Sequence, residues 1–236
     1  GDAPAEIKRA VDAVEWLHAG QLSAAIRFLC GQRVERVVFA GQISPQRLFR
    51  GLRPDVRAFR LLRRLSERNA ESIFSAVSDE FERDGIRVLS SVQFMQDSLA
   101  PPGCLTACRP NARVQRDIDF GIRVARESSR SDIGQTVVVK RGTVLAVEGF
   151  EGTDEAIKRG GGLGHGKVVV AKVAKPNHDL RFDVPCVGMT TVESLRAARA
   201  SALAVHARRT LLLEKGDLVA ALEASRIPLV AVELSD

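Results

Sequence analysis

Apolar residues recur along the first half of the chain in two alternating patterns. Helical spacing predicts helices over residues 5–19, 22–29 and 70–84. Short apolar runs predict strands over 35–41 and 86–89. Because helices and strands alternate, we expect a parallel sheet with covering helices. In such sheets ligands bind beyond the carboxyl ends of the strands.

The second half of the chain mixes both periods. Arg141-Gly142 separates two apolar runs and predicts a hairpin. Thr153 or Asp154 is expected to cap a short helix, and Thr190 with Glu193 predicts a capping box. The predicted strands cover 136–140, 143–148, 167–174, 210–213 and 227–232, and the predicted helices cover 111–126, 153–159, 190–205 and 217–225.

Residues 179–184 alternate strictly between polar and apolar side chains. As a strand, this segment would carry Asp179, Arg181 and Asp183 on one face. Two carboxylates beside a guanidinium suit a divalent cation or a phosphate. A solvent-facing edge strand with a surface ion pair is the alternative interpretation.

Composition predicts a cytoplasmic protein with an anionic partner. The chain has 236 residues and a net charge of +6, and Pro101-Pro102-Gly103 is the predicted domain boundary. An amphipathic basic helix over 53–68 favours either an acidic membrane surface or a solvated face. We expect no nucleic-acid partner, because no aromatic platform accompanies the arginines. The predicted basic face is Arg53, Arg57, Arg60, Arg64 and Arg68, and the predicted apolar face is Val56, Phe59, Leu62 and Leu65.

Several common motifs are missing or lack their context. The tract Gly160–Gly166 followed by Lys167 resembles a phosphate loop, but Val168 stands where Ser or Thr should hold magnesium, and a strand follows. We therefore expect a surface loop there, and a lid is one role that such a loop could have. No G-x-G-x-x-G follows a strand, no G-x-S-x-G occurs, and the four histidines lack metal-ligand spacing.

Short polar tracts cluster where strands of the second half are predicted to end. They contain carboxylates that suit a hard cation and lysines or an arginine that suit phosphate oxygens. This inventory favours metal-assisted phosphoryl chemistry. The tracts are 132–135, Glu148, 151–154, Lys172, Lys175 and the polar positions of 179–183.

Three of these motifs, in this order, resemble one known family. They are D-I-G-Q at 132–135, V-L-A-V-E-G-F-E-G-T-D at 144–154 and K-P-N-H-D-L-R-F-D-V-P-C-V-G at 175–188. Together they resemble the UDP-2,3-diacylglucosamine pyrophosphatases of the LpxI type, over nearly the whole chain.

The resemblance implies two α/β domains, the first Rossmann-like with a mainly parallel sheet and the second with a mixed sheet and covering helices. We expect these domains over 1–101 and 104–236, the first lacking its initial strand, since family members begin further upstream. The implied reaction is Mg²⁺-dependent (or Mn²⁺-dependent) hydrolysis of UDP-2,3-diacylglucosamine to UMP and lipid X, with water attacking the α-phosphorus. The implied location is the cytoplasmic face of the inner membrane, and a homodimer is the candidate assembly.

The family's essential aspartate corresponds here to Asp183, as metal ligand or activator of water. Asp154 is the second implied metal ligand. The implied substrate-binding residues are Gln135, Gly152, Thr153, Lys175, Arg181 and Thr191. A non-catalytic nucleotide-sugar or lipid-binding protein of the same fold is the alternative, and a nucleotide-cofactor oxidoreductase is a third hypothesis.

Overall fold

The computed structural model describes residues 5–41, 53–66, 70–175, 179 and 181–234. The chain forms two compact α/β units. The first comprises Gly1–Gln93 together with Asp179–Asp183, and the second comprises Phe94–His178 and Val184–Asp236. The fold class expected from the sequence is confirmed: the first unit has a parallel sheet and the second a mixed sheet, both with helices.

The first unit is built on a small parallel sheet. Its core contains Leu22, Ile26, Leu61, Phe81 and Val88, which come from three helices and the second strand of the described part of this unit. The apolar surface of each side chain is removed from water only when the helices cover the strands. This burial is the main source of stability in the first unit. The elements are α1 Leu22–Gly31, β1 Arg36–Val38, α2 Val56–Arg64, α3 Ala70–Arg83 and β2 Arg87–Leu89.

Residues 5–19 differ from the prediction. A 3-10 turn covers Ala5–Arg9, and residues 13–18 have no regular structure. The apolar spacing predicted a helix here, yet Ile7, Trp16 and Leu17 are exposed. Without a surface to bury its apolar stripe, a short helix gains too little to form.

Helix α2 is basic, and only half of its predicted apolar face meets the core, because Leu62 and, directly after the helix, Leu65 pack against it. Ala58 and Leu61 are buried, whereas Val56 and Phe59 are exposed. Arg57 does not join a solvated basic face, because it forms ion pairs with Glu80 of α3 and with Asp84, which directly follows α3. The predicted Arg68 lies outside the described residues.

The second unit contains a six-stranded sheet in the order β3-β10-β8-β6-β4-β5. Strands β6, β8 and β10 are parallel, whereas β4 runs antiparallel to both β5 and β6, and β3 antiparallel to β10. The elements are β3 Gly103–Cys104, α4 Ala112–Arg130, β4 Thr136–Lys140, β5 Thr143–Val147, α5 Thr153–Leu163, β6 Val169–Lys172, β7 Cys186–Val187, α6 Met189–Ala197, β8 Ala202–His206, β9 Leu211–Leu212, α7 Lys215–Ala224 and β10 Leu229–Val232.

Helices cover both faces of this sheet. Ile118 and Ile122 of α4 pack on one face, and Ile157 of α5 and Leu195 of α6 pack on the other. Strands β6 and β8 are therefore buried along their full length, which explains their nearly continuous apolar sequences.

The predicted hairpin is confirmed. Arg141 and Gly142 both have positive φ, 51° and 70°, as a two-residue turn between right-twisted strands requires. The buried carboxylate of Asp117 accepts a hydrogen bond of 2.8 Å from each of their backbone N–H groups. This carboxylate fixes the turn to α4.

The glycine tract is not a surface loop, contrary to the prediction. Gly160, Gly161 and Gly162 lie in the last turns of α5, and Gly160 and Gly161 are buried. A Cβ on Gly160 would lie 2.6 Å from Val138, and one on Gly161 would lie 2.4 Å from Ala198. The tract therefore lets α5 approach both the sheet and α6 closely.

Helix α6 is shorter than predicted. It ends at Ala197, and Ala202–His206 forms the central strand β8 rather than a continuation of the helix. Its N-cap is Gly188, without a side-chain cap, so the predicted Thr190–Glu193 capping box is wrong.

Candidate functional site

Polar residues converge where β4 begins and where β5 and β6 end. Thr136 pairs with Lys172 across β4 and β6, and Glu148 directly follows β5. Because β4 runs opposite to its two neighbours, these three positions share one edge of the sheet. Parallel strands such as β6 present ligand sites at this carboxyl edge.

A buried hydrogen-bond network joins these residues to the start of α5. The Thr153 hydroxyl donates to Glu148 Oε1 at 2.8 Å and accepts from Lys172 Nζ at 2.9 Å. Thr136 Oγ1 lies 3.4 Å from Thr153 Oγ1. We call these four residues the Glu148 network. Glu148 and Lys172 are 9% and 6% exposed, so a carboxylate and an ammonium group are held together away from bulk water.

Gly152 shapes the start of α5. It is the N-cap residue, with φ 86° and ψ 168°, a conformation that residues with a Cβ rarely adopt. No side chain caps the helix, so the predicted capping role of Thr153 or Asp154 is wrong. The Thr153 hydroxyl is instead engaged in the Glu148 network. Asp154 and Glu155 lie in the first turn, where the helix dipole favours carboxylates.

Three side-chain oxygens at this edge are buried without a hydrogen-bond partner among the described residues. They are Gln135 Oε1, Glu148 Oε2 and Asp154 Oδ1. Leaving a buried acceptor unsatisfied costs about 1–3 kcal/mol. Such an acceptor needs an explanation, and a bound ligand or ion that supplies the missing contact is one. Gln135 and Asp154 are sequence neighbours of the network residues Thr136 and Thr153.

Two ion pairs border this site. Lys175, three residues beyond β6, pairs with Asp132. Glu151 pairs with Arg159, and the hydrogen bond from this guanidinium holds the pKa of Glu151 below its usual value. Glu151 is therefore ionised at neutral pH.

The segment around Asp183 belongs to the first unit and is not a strand. Phe182 and Asp183 donate backbone N–H groups to Asp179 O at 3.1 and 3.0 Å, and Arg181 and Phe182 form a turn. The Phe182 ring stacks on Phe74 at 5.5 Å between centroids. Leu180 lies outside the described residues.

The guanidinium of Arg181 forms a bidentate ion pair with the Asp179 carboxylate. Its Nε lies 3.0 Å from Oδ1, and its Nη2 lies 2.7 Å from Oδ2. This pairing lowers the pKa of Asp179 below its ordinary value and raises that of Arg181. The polar alternation that predicted a strand therefore encodes a local ion pair within a turn.

The predicted site residues fall into two groups. In the second unit, Gln135, Thr153 and Asp154 lie at the sheet edge just described, with Gly152 beside them and Lys175 after β6. Thr191 is buried within α6. Arg181 and Asp183 belong to the first unit.

The sequence inventory included Glu148 and Lys172 but assigned neither a role, and it missed Thr136. The signal for both charged residues is their position: Lys172 ends the buried strand β6, and Glu148 directly follows the mostly apolar strand β5. A charged residue there must find a polar partner inside the protein. Thr136, a polar residue at the start of V-V-V, carries the same signal.

Within the described ranges, no group of three or more His, Cys, Asp or Glu side chains could hold a metal ion. No helix in the part of the chain covered by the structure is long and apolar enough to cross a membrane.

Fold and site define a two-domain α/β protein with an acceptor-rich polar site at the edge of a mixed sheet. Residues 1–98 match the model of the LpxI N-terminal domain, and residues 101–230 match the model of the LpxI C-terminal domain. The chain is 34% identical over 215 residues to the UDP-2,3-diacylglucosamine pyrophosphatase LpxI of Caulobacter vibrioides, across 86% of this chain and 76% of that relative. The chain therefore belongs to the LpxI family.

Proposed function

We propose that this chain hydrolyses UDP-2,3-diacylglucosamine to UMP and 2,3-diacylglucosamine 1-phosphate, lipid X. The proposal rests on family membership and on the name of the Caulobacter relative. The observation that carries it is the Glu148 network, which lies in the domain matched to the family and holds charged groups beside unsatisfied oxygens.

In the proposed reaction, water attacks the α-phosphorus. The new P–O bond forms on the uridine side, the bond from the α-phosphorus to the bridging oxygen breaks, and the sugar phosphate leaves. UMP therefore keeps the oxygen of the attacking water. Asp183 is proposed to act on this water or as a ligand of the metal.

The proposed roles of the other residues follow from their charge and position. Lys175 and Arg181 supply cations for phosphate oxygens. Gln135, Gly152 and Thr153 line the proposed substrate site at the start of α5, where backbone N–H groups favour an anion. Thr191 is the remaining proposed substrate contact. Lys172, held by Thr153, adds a buried positive charge behind this surface.

Magnesium is the proposed cofactor, with manganese as a substitute. The unsatisfied oxygens of Glu148, Asp154 and Gln135 are hard donors of the kind that Mg²⁺ takes, so the residues fit the ion. Because the described residues offer no group of three or more carboxylates or other common ligands, the substrate's phosphate oxygens would complete its coordination. Asp154 and Asp183 are the proposed ligands from the chain. When bound, the ion would neutralise charge on the phosphate oxygens.

We further propose that the protein acts at the cytoplasmic face of the inner membrane, where an acylated substrate resides. The basic helix α2 supports this location, since Val56 and Phe59 are exposed beside arginines.

The deciding experiment is hydrolysis of UDP-2,3-diacylglucosamine in H₂¹⁸O with Mg²⁺, followed by mass spectrometry of both products. Label in UMP supports attack on the α-phosphorus. Label in the sugar phosphate keeps the hydrolase but overturns the mechanism. Binding of substrate without turnover, with or without metal, would instead favour a non-catalytic binding protein.

A further inference from the structure

A cavity of about 320 Å³ lies in the second unit at the edge of the sheet opposite the Glu148 network. It opens where β6, β8 and β10 begin, about 16 Å along β6 from Lys172 at 3.3 Å per residue. Among the residues that the structure describes, four cationic side chains and no carboxylate line it. They are Arg109, Lys167, Arg199 and Arg226.

Three of these cations share one backbone feature, a positive φ at a position shortly before a parallel strand. Lys167, Arg199 and Arg226 each precede a parallel strand and have positive φ values of 55°, 47° and 54°. After α6 and α7 the chain makes the same closing turn, in which Ala200 N–H bonds to Leu195 O and Ile227 N–H bonds to Leu222 O. Glycine or asparagine usually occupies the left-handed position, yet here both positions carry arginine.

The cavity carries an excess of positive charge. In the described part of the chain, none of the four cations forms an ion pair with a carboxylate. Like charges around one cavity repel each other, and this repulsion is relieved when an anion enters. Asn111 contributes a further donor, because its Oδ1 is already used by the N–H groups of Arg113 and Val114.

We propose that this basic cavity binds a phosphate group, from a soluble phosphate compound or from a phosphomonoester lipid headgroup. Arginine side chains match phosphate oxygens with paired donors. The described residues that line the cavity include no aromatic side chain, so stacked bases are not favoured as occupants. Lys167 ends the near-match to a phosphate loop. In this proposal it contacts the phosphate from a cavity at the start of β6, rather than from a glycine loop that precedes a helix.

The test compares a cavity variant with a charge-matched control in the full chain. The cavity variant is R199N/R226N, since asparagine tolerates positive φ and keeps the turns. The control is R123N/R130N, whose arginines lie on α4 outside the cavity, against Phe120 and Glu127. R109Q is a second cavity variant without positive φ.

Inorganic phosphate is titrated by calorimetry at constant ionic strength, and sedimentation measures binding to phosphatidylcholine vesicles with and without phosphatidic acid. We expect roughly tenfold or greater weakening for each arginine removed from the cavity, and an unchanged control. Loss of inorganic phosphate binding identifies a soluble ligand, and loss confined to phosphatidic acid vesicles identifies a headgroup.

Binding that falls equally in the cavity and control variants would overturn the proposal, as would no binding in either arm. If chloride bound as well as phosphate in the same titration, the binding would reflect charge screening, and the proposal would also be overturned. None of these outcomes depends on hydrolysis, so they are independent of the proposed reaction.

Discussion

The Thr153 hydroxyl donates a hydrogen bond of 2.8 Å to the buried carboxylate of Glu148. The same hydroxyl accepts a hydrogen bond from Lys172, so one small side chain lies between the Glu148 carboxylate and the Lys172 ammonium group and holds both in place. Replacing Thr153 with valine keeps the shape but removes both bonds.

We expect T153V to lower the free energy of unfolding by about 1–3 kcal/mol, because it leaves buried polar groups unpaired. We also expect a fall in kcat with a smaller change in KM. T153S keeps the hydroxyl and should retain most of both properties. Denaturant unfolding and steady-state hydrolysis measure the two effects. Equal losses in T153V and T153S would show that the methyl group, rather than the hydroxyl, matters.

Asp183 is predicted to be essential for turnover. D183N keeps the size of the side chain but removes its charge, so it should abolish hydrolysis while the melting temperature stays close to that of the native protein. E155Q, a carboxylate change in the exposed Glu155–Lys158 pair on α5, is the control and should keep its activity. Near-native turnover by D183N would remove this residue from the proposed mechanism.

Two neighbouring glycines of α5 should respond oppositely to alanine. In G161A the new Cβ would lie 2.4 Å from Ala198 Cβ and 2.5 Å from its Cα, so the helices must move apart, at a cost of about 1–3 kcal/mol. In G162A the new Cβ meets nothing within 4 Å, and helix propensity should stabilise the protein by about 0.5–1 kcal/mol. Thermal unfolding of both variants tests this contrast, which stabilisation by G161A would contradict.

The Asp179–Arg181 pair predicts a dependence of stability on pH. Because Arg181 lowers the folded-state pKa of Asp179, the unfolded chain binds the proton more readily. The pair's contribution is present above the unfolded pKa of about 3.9 and is lost as pH falls through the folded value. The difference in melting temperature between the native protein and D179N should therefore be largest above about pH 5 and shrink towards pH 3. D119N, an exposed change on α4, is the control, and a difference independent of pH would contradict this account.

Much of the second unit follows from local sequence signals. The hairpin at Arg141-Gly142 and the helix predicted over 111–126 depend on nearby residues and on one buried face, and both are confirmed. The end of α6 could not be predicted, because Arg199 adopts a conformation that arginine rarely takes. Its neighbours A-L-A-V-H fit a buried strand and a helix equally well.

Other features depend on distant partners. The glycines of α5 looked like a loop because nothing in their sequence reveals the close approach of Val138 and Ala198. The alternation at 179–184 predicted a strand because sequence does not show that Arg181 turns back onto Asp179. The unsatisfied oxygen of Glu148 likewise emerges only when β5 and α5 are brought together.

The membership of Asp179–Asp183 in the first unit makes that unit discontinuous along the chain. Residues 1–93 produced by themselves would lack Phe182, and the Phe74 ring would lose its stacking partner. A single proteolytic cut after Gln93 would likewise leave the two parts of the first unit on separate fragments. Independent expression of the N-terminal segment is therefore a poor route to this unit, whereas a fusion that links residues 179–183 directly to residues 1–93 would keep both parts in one fragment.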